Sequence, residues 1–128
     1  MQAPLDTTAR PIDHATILVR SLALSLPYYR ALLPLLGYRE SAEGSWTGKG
    51  FTLQLGEAKA GSRPYDRHGP GLNHLGFALP TREAVAAVGE RMASLGFEVP
   101  PIQAFGRSSA LFMKDPDGLR FEITHHGS

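Results

Sequence analysis

The segments HATILV (residues 14–19) and HLGFAL (residues 74–79) share a pattern that decides the fold. Each begins with histidine and continues with apolar side chains at every second position, which is typical of a half-buried β-strand. Two further segments, FTLQL (51–55) and LRFEI (119–123), alternate in the same way and carry a polar residue at matching positions. Four strands in two similar pairs indicate that the chain contains an internal repeat.

A helix is predicted after each strand that begins with histidine. Ser21 is a suitable N-cap for a helix that extends through Leu33. Pro27 lies inside this stretch, so the helix either begins near Ser25, with the proline in its first turn, or is kinked. Thr81 is the predicted N-cap of the second helix, whose apolar residues recur at helical spacing.

Three short strands, separated by turn-forming residues, are predicted after each helix. They span residues 38–41, 45–47 and 51–55 in the first half, and 97–99, 110–114 and 119–124 in the second. Both halves therefore have the order strand, helix, three strands. We predict an α+β fold in which two βαβββ modules form a curved, partly open mixed barrel.

The length of 128 residues suits one domain, which buries roughly two thirds of its unfolded surface. We expect residues 1–11 to be a flexible N-terminal tail and residues 12–126 to be a single domain. Within that domain the expected parts are module one, a linker rich in helix and strand breakers, and module two, at residues 12–56, 57–71 and 72–126.

The composition limits the classes of molecule that the protein is expected to bind. Thirteen basic and twelve acidic residues leave a formal charge of +1, and no basic cluster predicts binding to nucleic acid or to a membrane. A small molecule is the expected partner. The chain has no cysteine, so a metal ion would be bound by imidazole, carboxylate, amide or water. Without a long apolar stretch or signal sequence, a cytoplasmic location is expected.

Four polar residues on the four principal strands form the candidate site: His14, Gln54, His74 and Glu122. Because side chains alternate along a strand, each of the four points away from the apolar face, into the concavity of a curved sheet. Two imidazoles with oxygen donors suit one divalent ion of Fe, Mn, Ni, Co or Zn. A carboxylate that points into a cavity needs a bound metal ion or an ion pair to offset its desolvation. Arg120 is the alternative partner for Glu122.

Other residues are given supporting or structural roles. Thr16, Arg120 and Met113 are expected to line the cavity walls. The segment DPDG (115–118) is predicted to be a hairpin turn and not a calcium loop, because the spaced acidic ligands of such a loop are missing.

Three longer segments resemble the vicinal oxygen chelate superfamily, which includes glyoxalase I, bleomycin-resistance proteins and type I extradiol dioxygenases. They are DHATILVRSLALSLPYYRALLPLLGY (13–38), LNHLGFAL (72–79) and DPDGLRFEIT (115–124). The resemblance implies paired βαβββ modules with metal ligands on the first and fourth strands of each. Carried over to this chain, the ligand positions are His14, Gln54, His74 and Glu122.

The resemblance implies a metal-dependent lyase or isomerase of glyoxalase type, acting on a small molecule with vicinal oxygens and using Glu122 for proton transfer. Gln54 departs from the glutamate common in glyoxalase I, and is either a weak fourth ligand or only a cavity residue. His14, His74 and Glu122 alone match the facial triad of a ring-cleaving extradiol dioxygenase, which is the first alternative. The second is a non-enzymatic, drug-sequestering protein. A homodimer is expected, with modules paired within or between chains.

Overall fold

A computed structural model describes residues 3–127, which form two successive βαβββ units. The first unit contains β1 (His14–Val19), α1 (Leu22–Leu35), β2 (Arg39–Ala42), β3 (Ser45–Gly48) and β4 (Phe51–Glu57). The second contains β5 (His74–Ala78), α2 (Arg82–Ser94), β6 (Gln103–Phe105), β7 (Ser108–Lys114) and β8 (Arg120–His125). The repeat predicted from the sequence is confirmed.

Each unit forms its own four-stranded mixed sheet. The strand orders are β1-β4-β3-β2 and β5-β8-β7-β6. In both sheets the first and last strands of the unit pair in parallel, and the remaining pairs are antiparallel. A parallel pair needs a long crossover connection, which the helix and the two intervening strands supply. The architecture is α+β, and the sheets are open and not closed into a barrel.

The first helix begins where its N-cap predicts. The hydroxyl Oγ of Ser21 accepts a hydrogen bond of 3.2 Å from the N–H of Leu24, so α1 starts at Leu22. The alternative start near Ser25 is wrong, and Pro27 lies inside the helix. The proline removes one helical hydrogen bond, but burial of the apolar face on the sheets supplies most of the stability of such a helix.

The second helix is capped in the same way. The Oγ1 of Thr81 accepts a hydrogen bond of 3.0 Å from the N–H of Ala84. Among residues 3–127, neither helix is long and apolar enough to cross a membrane.

The first short strand of the second unit lies later than predicted. Residues 97–99 are not a strand, and Phe97 and Val99 are partly buried against the core. The ring centroid of Phe97 lies 5.3 Å from that of Tyr28, edge to face. The next two residues are prolines, which cannot donate ladder hydrogen bonds. The strand forms instead at Gln103–Phe105, antiparallel to β7.

One hydrophobic cluster joins the two sheets and both helices. The ring of Tyr29 in α1 lies 6.1 Å from that of Trp46 in the first sheet and 5.5 Å from that of Phe121 in the second. The apolar side chains of each sheet point into this core, and we call that side the inner face. The opposite side of each sheet, the outer face, holds the polar strand positions. Further buried core residues are Ile17, Val19, Leu32, Leu33, Leu53, Val85, Met92, Leu111 and Ile123.

Candidate metal centre

The outer face of the first sheet carries His14 and Gln54, which we call half-site A. Gln54 lies beside Thr16 in the register of β1 and β4. The Nε2 of Gln54 donates to the Oγ1 of Thr16 at 2.8 Å, and its Oε1 accepts from the Oγ of Ser45 at 3.4 Å. The side chain of His14 is 64% exposed. Half-site A therefore has a solvent-accessible imidazole and, two residues further along the paired strands, an amide that Thr16 and Ser45 hold at both ends.

The outer face of the second sheet carries His74 and Glu122, which we call half-site B. The Nε2 of His74 lies 3.3 Å from the Oε1 of Glu122. The guanidinium carbon of Arg120, the rival partner predicted for this carboxylate, lies 5.2 Å from the ring centroid of Phe112. The carboxylate of Glu122 is therefore paired with an imidazole and not with the neighbouring arginine.

Each of the two histidines is oriented by the residue that precedes it. The Oδ2 of Asp13 lies 2.9 Å from the Nδ1 of His14, and the Oδ1 of Asn73 lies 2.8 Å from the Nδ1 of His74. A carboxylate or amide oxygen only accepts, so each Nδ1 is the donor in this contact and each Nε2 is the nitrogen that is left for another partner. Sequence reasoning missed Asp13 and Asn73, although an oxygen acceptor directly before each strand histidine was a visible signal.

The linker before β5 fixes the amide of Asn73. Its Nδ2 donates to the carbonyl of Arg67 at 3.0 Å, which leaves its Oδ1 directed at His74. The hydroxyl of Tyr65 lies 2.6 Å from the carbonyl oxygen of Leu72 and 3.1 Å from that of Asn73. These contacts hold the linker against the start of β5 and keep the Oδ1 of Asn73 at the Nδ1 of His74.

The two side chains of half-site B suit a cation. The Nε2 of His74 faces the Oε1 of Glu122 at 3.3 Å, so an imidazole nitrogen and a carboxylate oxygen, both common metal ligands, converge on one point. Across both half-sites the donors are two imidazoles, one carboxylate and one amide oxygen. This donor set fits a divalent transition ion or zinc.

One chain keeps the two half-sites apart. Half-site A lies on the first sheet and half-site B on the second, and the inner faces of both sheets are used by the core. Among residues 3–127, no cluster of three or more histidine, aspartate or glutamate side chains is positioned to hold a metal ion. The structure therefore brings His74 and Glu122 into contact, and places His14 and Gln54 on the same face of the other sheet without a contact between them.

The prediction that Met113 lines the cavity is wrong. Its side chain is 1% exposed and belongs to the core, because Phe112, not Met113, lies opposite Glu122 in the register of β7 and β8. Thr16 and Arg120 do lie on the outer faces, as predicted. Both faces of β7 are apolar near the centre of the strand. The alternation of polar and apolar residues therefore does not show which of its side chains point into the core.

The DPDG segment forms the predicted turn and ties α1 to the second sheet. The Oδ1 of Asp115 accepts from the N–H groups of Asp117 and Leu119, both at 2.9 Å, and the hydroxyl of Tyr29 donates to its Oδ2 at 2.6 Å. Burial raises the pKa of Asp115 in spite of these donors. The carboxylate is directed into the protein, as expected of a structural turn residue.

Two tandem βαβββ units, each with a metal-capable pair on its first and last strands, define the class of vicinal oxygen chelate proteins. The chain belongs to the Glyoxalase/Bleomycin resistance protein/Dioxygenase superfamily, whose family model matches residues 11–123.

Several known proteins are similar to this chain across almost its full length. The uncharacterised protein YqjT of Bacillus subtilis (strain 168) is 29% identical over 123 residues, covering 88% of this chain and 96% of that protein. The structure of a glyoxylase/bleomycin resistance protein/dioxygenase domain from Frankia sp. EAN1pec superposes with a TM-score of 0.73 at 23% identity, covering 92% and 93% of the two chains. Lactoylglutathione lyase from Agrobacterium tumefaciens superposes with a TM-score of 0.68 at 20% identity, covering 93% and 96%.

Proposed function

We propose that the protein is a metal-dependent lyase or isomerase of glyoxalase type, acting on a small molecule with vicinal oxygens. In this proposal half-site A of one chain and half-site B of a second chain form each active site. The observation that carries it is the Nε2 of His74 facing the carboxylate of Glu122 at 3.3 Å, with the Nδ1 of the same ring held by the Oδ1 of Asn73.

The surface of the single chain favours a homodimer. β1 and β5 are edge strands, so each has backbone N–H and C=O groups without a strand partner on one side. Large apolar side chains are exposed at these edges, with Leu18 in β1 63% exposed, Ile12 75% and Leu72 48%. A symmetric pair of chains would cover both edges and create two equivalent sites.

The residues of the two half-sites have distinct roles in this proposal. His14, His74 and Glu122 would hold the metal, with the Oε1 of Gln54 available as a fourth donor. The ion would supply Lewis-acid polarisation of the substrate oxygens. Glu122 is the carboxylate placed to take and return a proton. Thr16 and Ser45 keep the amide of Gln54 in one orientation.

Metal analysis of the untagged protein, followed by anaerobic turnover of a 2-oxoaldehyde thiol adduct, tests the proposal. We expect about one divalent ion per chain, and its loss in His74→Ala and in Glu122→Ala with the fold retained. His68→Ala, which removes an exposed linker imidazole, is the matched control and should keep the metal. Stoichiometric metal in the His74→Ala/Glu122→Ala double variant would contradict the site. Wild type without metal would favour the non-enzymatic binding protein.

A ring-cleaving dioxygenase is the second candidate, and the state of Gln54 favours it. A carboxamide is not a proton acceptor at neutral pH, so Gln54 supplies no second base for a proton shuttle in half-site A. His14, His74 and Glu122 would then act as a facial triad for Fe(II). Oxygen uptake by the iron-loaded protein with a catechol-like substrate, lost in His14→Ala, would establish this reaction in place of the first.

A further inference from the structure

Arg120 stands in half-site B without an ionic partner. It lies on the outer face of β8, two residues before Glu122, and in register with His74 on one side and Lys114 on the other. The carboxylate of Glu122 is directed at His74. Among residues 3–127, Arg120 makes no ion pair, and its Nε is buried without a hydrogen-bond acceptor. A buried guanidinium N–H without an acceptor is costly unless a ligand completes it.

The contact with Phe112 leaves the donors of Arg120 available. The guanidinium carbon lies over the aromatic ring at 5.2 Å from its centroid. A stacked guanidinium uses its face for the ring and keeps its in-plane N–H groups free for a carboxylate or phosphate. Phe112 is itself in register with Glu122, so the ring holds the cation beside the proposed metal ligands.

The charges of the outer faces favour an anion. Glu122 is the one carboxylate among the outward strand positions of the described chain, whereas Arg39, Lys114 and Arg120 are cations on the same faces. Asp13, which precedes β1, contacts the Nδ1 of His14 and adds one carboxylate beside half-site A. These three cations outnumber the carboxylates Glu122 and Asp13, so the net charge of the outer faces attracts a negatively charged ligand.

The outward positions of β5 beside Glu122 carry little side chain. Gly76 and Ala78 are exposed and lie in register with Glu122 and Thr124, whereas Ala110 on β7 is buried. A Cβ added to Gly76 would meet its nearest atom, the carbonyl oxygen of Glu122, only at 4.0 Å, and its φ is not in the left-handed region. Backbone conformation therefore does not require this glycine, and its effect is to leave space above the sheet.

We infer that Arg120 is a specificity-determining residue that binds an oxyanion, a carboxylate or a phosphate, on the small molecule that occupies the outer faces. The inference rests on the proposed function, because it takes these faces as the walls of the active site. The substrate class is accordingly a molecule with vicinal oxygens and a separate acidic group, held at one end by the metal ligands and at the other by Arg120.

Titration of the full-length, metal-free protein with benzoate, phenyl phosphate and benzamide tests the inference, read by the NMR signal of the Arg120 Nε–H. At least one of the two anions should shift this signal to saturation, and the neutral amide should not. Arg120→Gln should weaken binding of that anion about tenfold or more. Lys114→Gln, which removes a neighbouring exposed cation, should change it less than about fivefold. Arg120→Lys should recover part of the affinity, because the charge returns without the planar fork.

Anions that bind no more tightly than benzamide, or that bind Arg120→Gln as they bind wild type, would overturn the inference. If the glutamine variant does not fold, the wild-type Nε–H shift decides alone. The titration contains no metal, so its outcome is separable from that of the proposed function. Anion binding at Arg120 in a protein that binds no metal would refute the metal-dependent function and leave the oxyanion site standing.

Discussion

Mixing two defective variants measures whether two chains share each metal centre. His14→Ala disables half-site A, and His74→Ala disables half-site B. Each variant alone has a damaged half-site in every centre, whether the centre lies within one chain or between two. A mixed dimer behaves differently, because half-site A of the His74→Ala chain and half-site B of the His14→Ala chain are both intact and would face each other.

The expected recovery follows from the proposed geometry. Random exchange of equal amounts gives mixed dimers as about half of the population, and each mixed dimer has one intact and one doubly damaged centre. About one quarter of all centres should therefore regain metal. If both half-sites of a centre came from the same chain, every centre would keep one defect and the recovery would be zero.

Native mass spectrometry of the mixture reports dimer composition and bound metal in one experiment. A matched control mixes His14→Ala with Gln54→Ala, two defects in the same half-site, and should recover no centre with all four donors. Mixed dimers that form in the expected proportion but hold no more metal than the separate variants would refute the shared centre. A protein that stays monomeric at micromolar concentration would refute it more directly.

Three further outcomes are expected. Asn73→Leu should weaken metal affinity roughly 10- to 100-fold in a competition assay with a chromogenic chelator, because the Nδ1 of His74 loses its acceptor. Asn73→Asp keeps an acceptor oxygen and should keep the affinity of wild type. If Asn73→Leu binds metal as tightly as wild type, Asn73 is not part of the site. Gln54→Glu should preserve or raise turnover of a 2-oxoaldehyde thiol adduct if the enzyme is a lyase or isomerase, and should lower oxygen uptake if it is a dioxygenase, since the added charge fills an open position. Burial raises the pKa of Asp115, so the folded state binds this proton more tightly than the unfolded state. Burial of the ionised carboxylate lowers the free energy of unfolding at neutral pH. This destabilisation disappears as the pH falls through the folded pKa toward about 4. The stability of wild type relative to Asp115→Asn, measured by urea unfolding, should therefore increase between pH 7 and pH 4, and the opposite slope would refute the assignment.

Local patterns predicted the fold because each element is specified by nearby residues. Ser21 and Thr81 cap their helices through side-chain contacts three residues away, which the sequence displays directly. The error at residues 97–99 has a non-local cause. Phe97 packs against the ring of Tyr28, which is distant in the sequence, and no alternation pattern predicts that contact.

The candidate site was predictable one strand at a time. The alternation of polar and apolar residues predicts on which face of its sheet each candidate ligand lies: His14 in β1, Gln54 in β4, His74 in β5 and Glu122 in β8. The observed strand register confirms these faces. The relation between the two sheets was not predictable. It depends on α1 packing between Trp46 and Phe121, which places the core on the inner faces and directs the two half-sites outward. Tertiary contacts decide how the two sheets pack around the core, and the repeat pattern in the sequence does not predict those contacts.

Under the proposed function, the two half-sites contribute unequally to the chemistry. Half-site A offers an imidazole, an amide and the hydroxyls of Thr16 and Ser45, none of which is a carboxylate base. Half-site B supplies Glu122, the one carboxylate at an outward strand position in residues 3–127. Inversion at a carbon needs proton acceptors on both faces of the substrate, whereas a proton moved between neighbouring carbons on one face needs only one. The chain is therefore suited to a reaction in which Glu122 removes a proton and returns it to the same face.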